Sequence, residues 1–159
     1  MLSFKFSLSG KLGLTTLSLG LVFFCTPMLA EPKPSATLEF NLADKHGAPD
    51  KQALSKFDCL DKIYAVTDIK NMPKGKHTIE YRWMNPHGET QETTRYNFHV
   101  KEATVTNLWS WLQLSRGRGA GLFQWLDPST GLEEFIGEWR VELFVNGKEL
   151  QRATFEVNC

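Results

Sequence analysis

The feature that most restricts the fold is a pair of alternating runs on either side of Asn146-Gly147. Trp139, Val141, Leu143 and Val145 share one parity, and Arg140, Glu142 and Phe144 share the other. Side chains along a strand point to opposite faces with period two, so the first run presents an apolar face. Asn-Gly then supplies the pair preferred in a tight two-residue hairpin turn. Beyond it, Ala153, Phe155 and Val157 alternate with Arg152, Thr154 and Glu156. The reading is a hairpin with one face on a core.

The same pattern recurs upstream. Leu38, Phe40 and Leu42 alternate with Thr37, Glu39 and Asn41. Residues 63–67, Ile-Tyr-Ala-Val-Thr, are strand-like by their β-branched and aromatic content. Ile79, Tyr81 and Trp83 oppose Thr78, Glu80 and Arg82. After the turn residues Asn85-Pro86-His87-Gly88, the run Thr94, Tyr96, Phe98 and Val100 returns as a partner strand. Further turns are expected at 46–50 and 72–75, and 52–57 reads as either a helical turn or an extended piece. No long amphipathic helix and no internal repeat are present. The expected fold is all-β: an antiparallel β-sandwich of about seven strands over residues 37–159, preceded by an extended leader at 31–36.

Residues 1–30 read differently. Lys5 and Lys11 precede any acidic residue, Leu12 to Phe24 is a short apolar run, and Ala30 is a small residue suited to cleavage. That is the layout of a secretory signal peptide, with a run too short for the ~20 residues of a membrane span. Acylation at Cys25 would need a small residue in the preceding Val22-Phe23-Phe24, and none is there. Export to the periplasm or beyond is therefore expected, with no transmembrane span in the mature chain. Without Lys5 and Lys11 the chain carries 16 basic against 18 acidic residues, a net charge of −2. This balance does not suit a general nucleic-acid binder or a lipid-surface binder. Cys59 and Cys159 remain after cleavage, an even pair that reads as one disulfide in an oxidising compartment.

"GKHTIEYRWMNPHGETQETTRYNFHV", Gly75 to Val100, resembles the middle hairpin of a bacterial immunoglobulin-like or fibronectin-type-III-like module. "GEWRVELFVNGKELQRATFEV", Gly137 to Val157, resembles its closing hairpin. The resemblance covers about residues 60 to 159. It implies a core role for Trp83, and binding or scaffolding more than catalysis. The cysteine positions depart from the antibody pattern, in which the bridge joins two mid-sheet strands.

Candidate chemistry is dispersed. His46, His77, His87 and His99 show no metal-ligand spacing on one expected element, so no metal and no cofactor are expected. Ser110 and Ser115 lie in no nucleophile elbow. Glu133-Glu134 and the pair Asp58 and Asp61 read as solvated acids. A small secreted hydrolase would need two of Glu133, Glu134, Asp127, His87 and His99 in one cleft. The expectation is that the protein is not an enzyme.

The stretch 107–127 holds the strongest binding signal. Trp109, Trp111, Phe123 and Trp125 surround Arg116 and Arg118, which are set among glycines. Aromatic residues beside arginine are the composition of a protein-binding hot spot, and they also suit stacking on a sugar ring. Glycine-rich backbone can offer successive N–H groups to an anion. Residues 107–114 read as a strand with two apolar faces or as a helical turn capped by Asn107, and the tryptophans as exposed or as core. The expected function is a non-catalytic binding or accessory module of the bacterial envelope. It would recognise a protein, or a glycan, through these residues, with an open sheet edge as a second contact. The alternative is a structural subunit of an envelope assembly.

Overall fold

In the computed structural model, the residues described are 33–102, 105–114 and 132–159. The expected signal peptide, and Arg116, Arg118, Phe123 and Trp125, lie outside them, as do Ser115 and Asp127. The fold is all-β, with nine strands among the described residues: β1 (Ser35–Ala43), β2 (Pro49–Ala53), β3 (Lys56–Asp58), β4 (Lys62–Lys70), β5 (Gly75–Met84), β6 (Thr90–Val100), β7 (Thr106–Gln113), β8 (Gly137–Val145) and β9 (Lys148–Asn158). The number exceeds the expected seven because 49–58 is extended. β2 exposes nearly every side chain and β3 buries only Phe57, so neither carries an apolar period to read. Ser35 and Ala36, assigned to the leader, begin β1.

Two sheets form, ordered β2-β1-β4-β7 and β3-β9-β8-β5-β6. One of them is curled as a half-barrel. Pairing is antiparallel with one exception, which corrects the all-antiparallel expectation: β3 runs parallel to β9. Parallel neighbours need a long crossover, and here the chain between them builds most of both sheets. The register joins Lys56 to Glu156, Phe57 to Val157 and Asp58 to Asn158. Cys59 and Cys159 continue the same offset, with Cα atoms 5.2 Å apart and a disulfide between them. Cys59 is fully buried, as Phe57 nearly is. Cys159 keeps the parity of Val157 but is exposed, so the bond is covered from one side only.

Period-two burial drives both sheets. Ile79, Tyr81, Trp83, Trp139, Val141, Leu143 and Val157 are fully buried, and Leu38, Phe40 and Phe155 nearly so. Burying each such side chain contributes about 1.5–3 kcal/mol. Phe155 is the hub: its ring lies 4.6 Å from Phe40, 5.5 Å from Phe57 and 6.1 Å from both Trp83 and Trp139. Phe40 belongs to the first sheet and the others to the second, so these rings tie the sheets through one core. Trp83 Nε1 adds a polar tie, donating to Ser110 Oγ of β7 at 3.3 Å.

Two backbone positions need glycine. Asn146 and Gly147 have φ of 51° and 78°, the pair of positive values a primed hairpin turn demands. Gly137 has φ 132°, and a Cβ there would stand 3.2 Å from the Pro86 ring. On the outer face of β5, opposite Ile79, Tyr81 and Trp83, Glu80 is only 6% exposed. Arg95 and Arg82 cover it, with Arg95 Nε 2.7 Å from Oε2 and Arg82 Nε 2.5 Å from Oε1. Chiefly the Arg95 guanidinium, helped by Arg82, holds this carboxyl below the usual carboxylate range despite burial.

Candidate protein-binding site

Residues 107–113 are a strand, which decides between the two readings of that stretch. β7 pairs with β4 in a continuous register from Thr106–Ile69 to Gln113–Lys62. Inward, Ser110 and Leu112 are buried and Leu108 packs on the core. Outward, Trp109 is 43% and Trp111 47% exposed. Both faces are apolar because one lies on the core and the other is presented to solvent.

The register places Tyr64 opposite Trp111 and Val66 opposite Trp109. Tyr64 is fully buried although it lies on the outer face. Its hydroxyl donates to Gly47 O at 2.5 Å, and its ring meets Trp109 edge-on at 5.5 Å. Lys62 Nζ sits 4.3 Å above the Trp111 ring and 5.0 Å above that of Tyr64. At the far end, Asn107 Nδ2 donates to Asp68 Oδ1 at 2.9 Å. The result is a small aromatic platform with a cation at one end and an amide–carboxylate pair at the other. Cation–π contact is worth about 0.5–1 kcal/mol at exposed sites, so Lys62 orients the indole more than it stabilises the fold.

Beside the platform, β7 faces β6 of the other sheet across a cleft of about 640 Å³, lined by Glu92, Thr94 and Tyr96 on one wall and Asn107–Gln113 on the other. Side chains bridge it. Tyr96 Oη donates to Trp109 O at 3.0 Å, and Ser110 Oγ donates to Thr94 Oγ1 at 2.9 Å. Burial pushes the Tyr96 phenol up, so it remains a donor at neutral pH.

Among the other described candidates, His77 and His99 line one shallow cleft with Phe98 and Asn146. Ser110 is buried between Trp83 and Thr94 as a structural hydroxyl. Asp58 and Asp61 accept backbone N–H groups of their own turn: Asp61 Oδ2 from Asp58 N at 2.8 Å and Asp58 Oδ1 from Leu60 N at 3.0 Å. Glu133 and Glu134 lie in a single 3-10 turn, Glu133–Phe135, rather than a strand. His77 is held between Pro73 O at 2.8 Å and Asn146 Nδ2 at 2.9 Å. No group of three potential metal ligands occurs among the described residues. Sequence reasoning missed Lys62 and Tyr64, which strand register brings to the site, and Thr94 and Tyr96, which reach it from the facing sheet. One readable signal was the absence of any charged residue from 106 to 113.

No protein-family model matches the sequence, and no curated protein matches it. Similarity to solved structures is confined to fold. A Pseudomonas fluorescens alkylpurine DNA glycosylase, AlkC, bound to abasic-site DNA, superposes with TM-score 0.50 at 10% identity, over 79% of this chain and 30% of that one. An immunoglobulin-like protein from Pseudomonas aeruginosa gives 0.44 at 14%, over 81% and 99%. A Listeria innocua β-glucosidase in complex with glucose gives 0.46 at 9%, over 79% and 16%. The chain thus spans about a third of the glycosylase's length, and the likeness carries nothing of its chemistry.

Proposed function

We propose that this chain is a non-catalytic binding or accessory module of the bacterial cell envelope, an immunoglobulin-like β-sandwich exported to the periplasm or beyond. It recognises a protein partner through Trp109 and Trp111, together with Arg116, Arg118, Phe123 and Trp125 further along the chain. The observation that carries this reading is the side-by-side exposure of two indoles on one edge strand whose alternate residues are buried. A large aromatic surface left in water costs free energy that a partner recovers, and tryptophan dominates such contacts. The Cys59–Cys159 disulfide and the signal-like segment 1–30 support an oxidising compartment. A net charge of −2 after removal of that segment disfavours nucleic acid. A glycan is the second reading, favoured by the paired indole faces and the adjoining Asn107–Asp68 pair.

The test is photo-crosslinking in cells from position 111, with position 154 on the other sheet as control. A discrete protein adduct from 111, absent from 154 and lost in Arg116→Ala/Arg118→Ala, is the expected result. Equal labelling from both positions, or none from 111 in a folded protein, would end the proposal.

A further inference from the structure

The outer face of the second sheet carries its cations in ion pairs along most of its length. Arg82 and Arg95 cover Glu80, Arg140 lies 3.4 Å from Glu142, Arg152 2.7 Å from Glu149 and Lys56 2.9 Å from Glu156. The pattern stops where β5 begins and β6 finishes. There the register sets Lys76 directly opposite His99, and Thr78 opposite Asn97. Side chains so opposed have Cβ atoms about 4.5–5.5 Å apart, and like charges in that arrangement repel. Lys76 and His99 are exposed, and neither has an ion-pair or hydrogen-bond partner among the described residues.

Both line a shallow cleft of about 440 Å³, and none of its lining is acidic. Several of its polar groups are already engaged. Asn146 Oδ1 accepts from Thr78 N at 3.0 Å, which turns Asn146 Nδ2 toward His77 Nδ1 at 2.9 Å. His77 Nδ1 is therefore the acceptor, and Nε2 donates to Pro73 O at 2.8 Å. With both nitrogens used, His77 is a wall of the cleft rather than a group that holds a ligand. Thr78 Oγ1 donates to Asn97 Oδ1 at 2.8 Å, which leaves Asn97 Nδ2 as a donor. The unengaged groups are thus an ammonium, an amide N–H group and an imidazole. The turns on either side add Lys74 and Lys148, and the nearby Glu149 is taken by Arg152.

We propose that this cleft is an oxyanion site, which takes a carboxylate or a phosphate-like group between Lys76, His99 and Asn97. An oxyanion seated there replaces the repulsion between Lys76 and His99 with two attractions, and it accepts from Asn97 Nδ2 as well. Hydrogen bonds to a charged acceptor are the stronger kind. A cation finds no carboxylate in the lining to receive it. Histidine changes charge between about pH 5 and 8, so acid adds a second cation at His99 and strengthens the site. The cleft lies on the second sheet and the indoles of β7 on the first. The site therefore stands apart from the reading of the chain as a protein-binding module.

The experiment titrates the folded protein with sodium sulfate and, separately, with sodium acetate, at constant ionic strength. The side-chain resonances of His99 and Asn97 are followed by NMR. Saturable shifts with at least one of the two anions are expected, about fivefold tighter near pH 6 than near pH 8. Sulfate keeps its charge over that range, so the change belongs to the protein. Tighter sulfate marks a phosphate-like ligand, and tighter acetate marks a carboxylate. Lys76→Gln should weaken binding about fivefold or more, and His99→Gln should remove the pH difference. Both positions are exposed, and an unchanged melting temperature shows that the variants fold. Chloride alone reproducing the shifts overturns the site. So do shifts that persist unchanged in Lys76→Gln, or equal affinity at the two pH values in the parent. None of these results bears on an adduct from position 111, so the two proposals fail separately.

Discussion

The hydroxyl of Tyr96 crosses from one sheet to the other and donates to the main-chain carbonyl of Trp109 at 3.0 Å. Tyr96→Phe removes this latch and little else. The variant should lose about 0.5–1.5 kcal/mol of stability, the net worth of one hydrogen bond. Urea unfolding reads the loss, and an unchanged midpoint would show that this bond between the sheets contributes nothing to stability.

Glu80 gives the fold an acid-sensitive element. Its carboxyl ionises more readily in the folded state than in the unfolded chain, chiefly because of Arg95. Its stabilisation is present above the unfolded value of about 4.3 and disappears as pH falls through the folded value. Arg95 is 65% exposed, so water screens the pair and the effect is modest. Glu80→Gln should be about 1 kcal/mol less stable than the parent at pH 7, and the two melting curves should converge as pH falls through the folded value. A gap that does not narrow as pH falls below the unfolded value would assign the loss to packing instead.

The disulfide should matter more. It closes a sequence separation of 100 residues, for which chain entropy sets an upper figure of ~4.7 kcal/mol. Reduction, or Cys59→Ala/Cys159→Ala, should lower the unfolding free energy by about 2–4 kcal/mol. Matched urea curves with and without reductant check this, and coincident curves would contradict it.

Gly137 starts the closing hairpin at φ 132°, against the Pro86 ring. Gly137→Ala combines an unfavourable backbone conformation with a tight contact, and should cost about 1–3 kcal/mol. Gly75→Ala, at the nearly identical φ of 131° but with open space around it, isolates the backbone component. Equal losses in the two variants would remove Pro86 from the explanation.

Much of this fold could be read from parity. Ile79–Trp83, Trp139–Val145 and Ala153–Val157 bury one face, and one-sided burial writes period two into the chain. β2 and β3 could not be read, because strands with exposed side chains need no such pattern. The parallel register of β3 on β9 joins residues 100 positions apart, and local chemistry carries no trace of it. The burial of Glu80 could not be read, because its cover comes largely from Arg95 on another strand. Trp109 and Trp111 stood out by composition. Their strand context was ambiguous because β7 is apolar on both faces, and pairing with β4 resolves it. Tyr64, Lys62 and Tyr96 carry no individual signature; register brings the first two to the site, and sheet packing brings Tyr96.

The bond between Cys59 and Cys159 also changes what a cut in the chain can do. It makes residues 59–159 a covalent ring that contains β4 through β9, while β1, β2 and β3 hang from it as a tail. One proteolytic nick anywhere within the ring linearises it and releases nothing. The two pieces stay joined on a non-reducing gel and separate only when thiol is added. Damage between β7 and β8 would thus leave both hairpins of the second sheet attached to the same molecule.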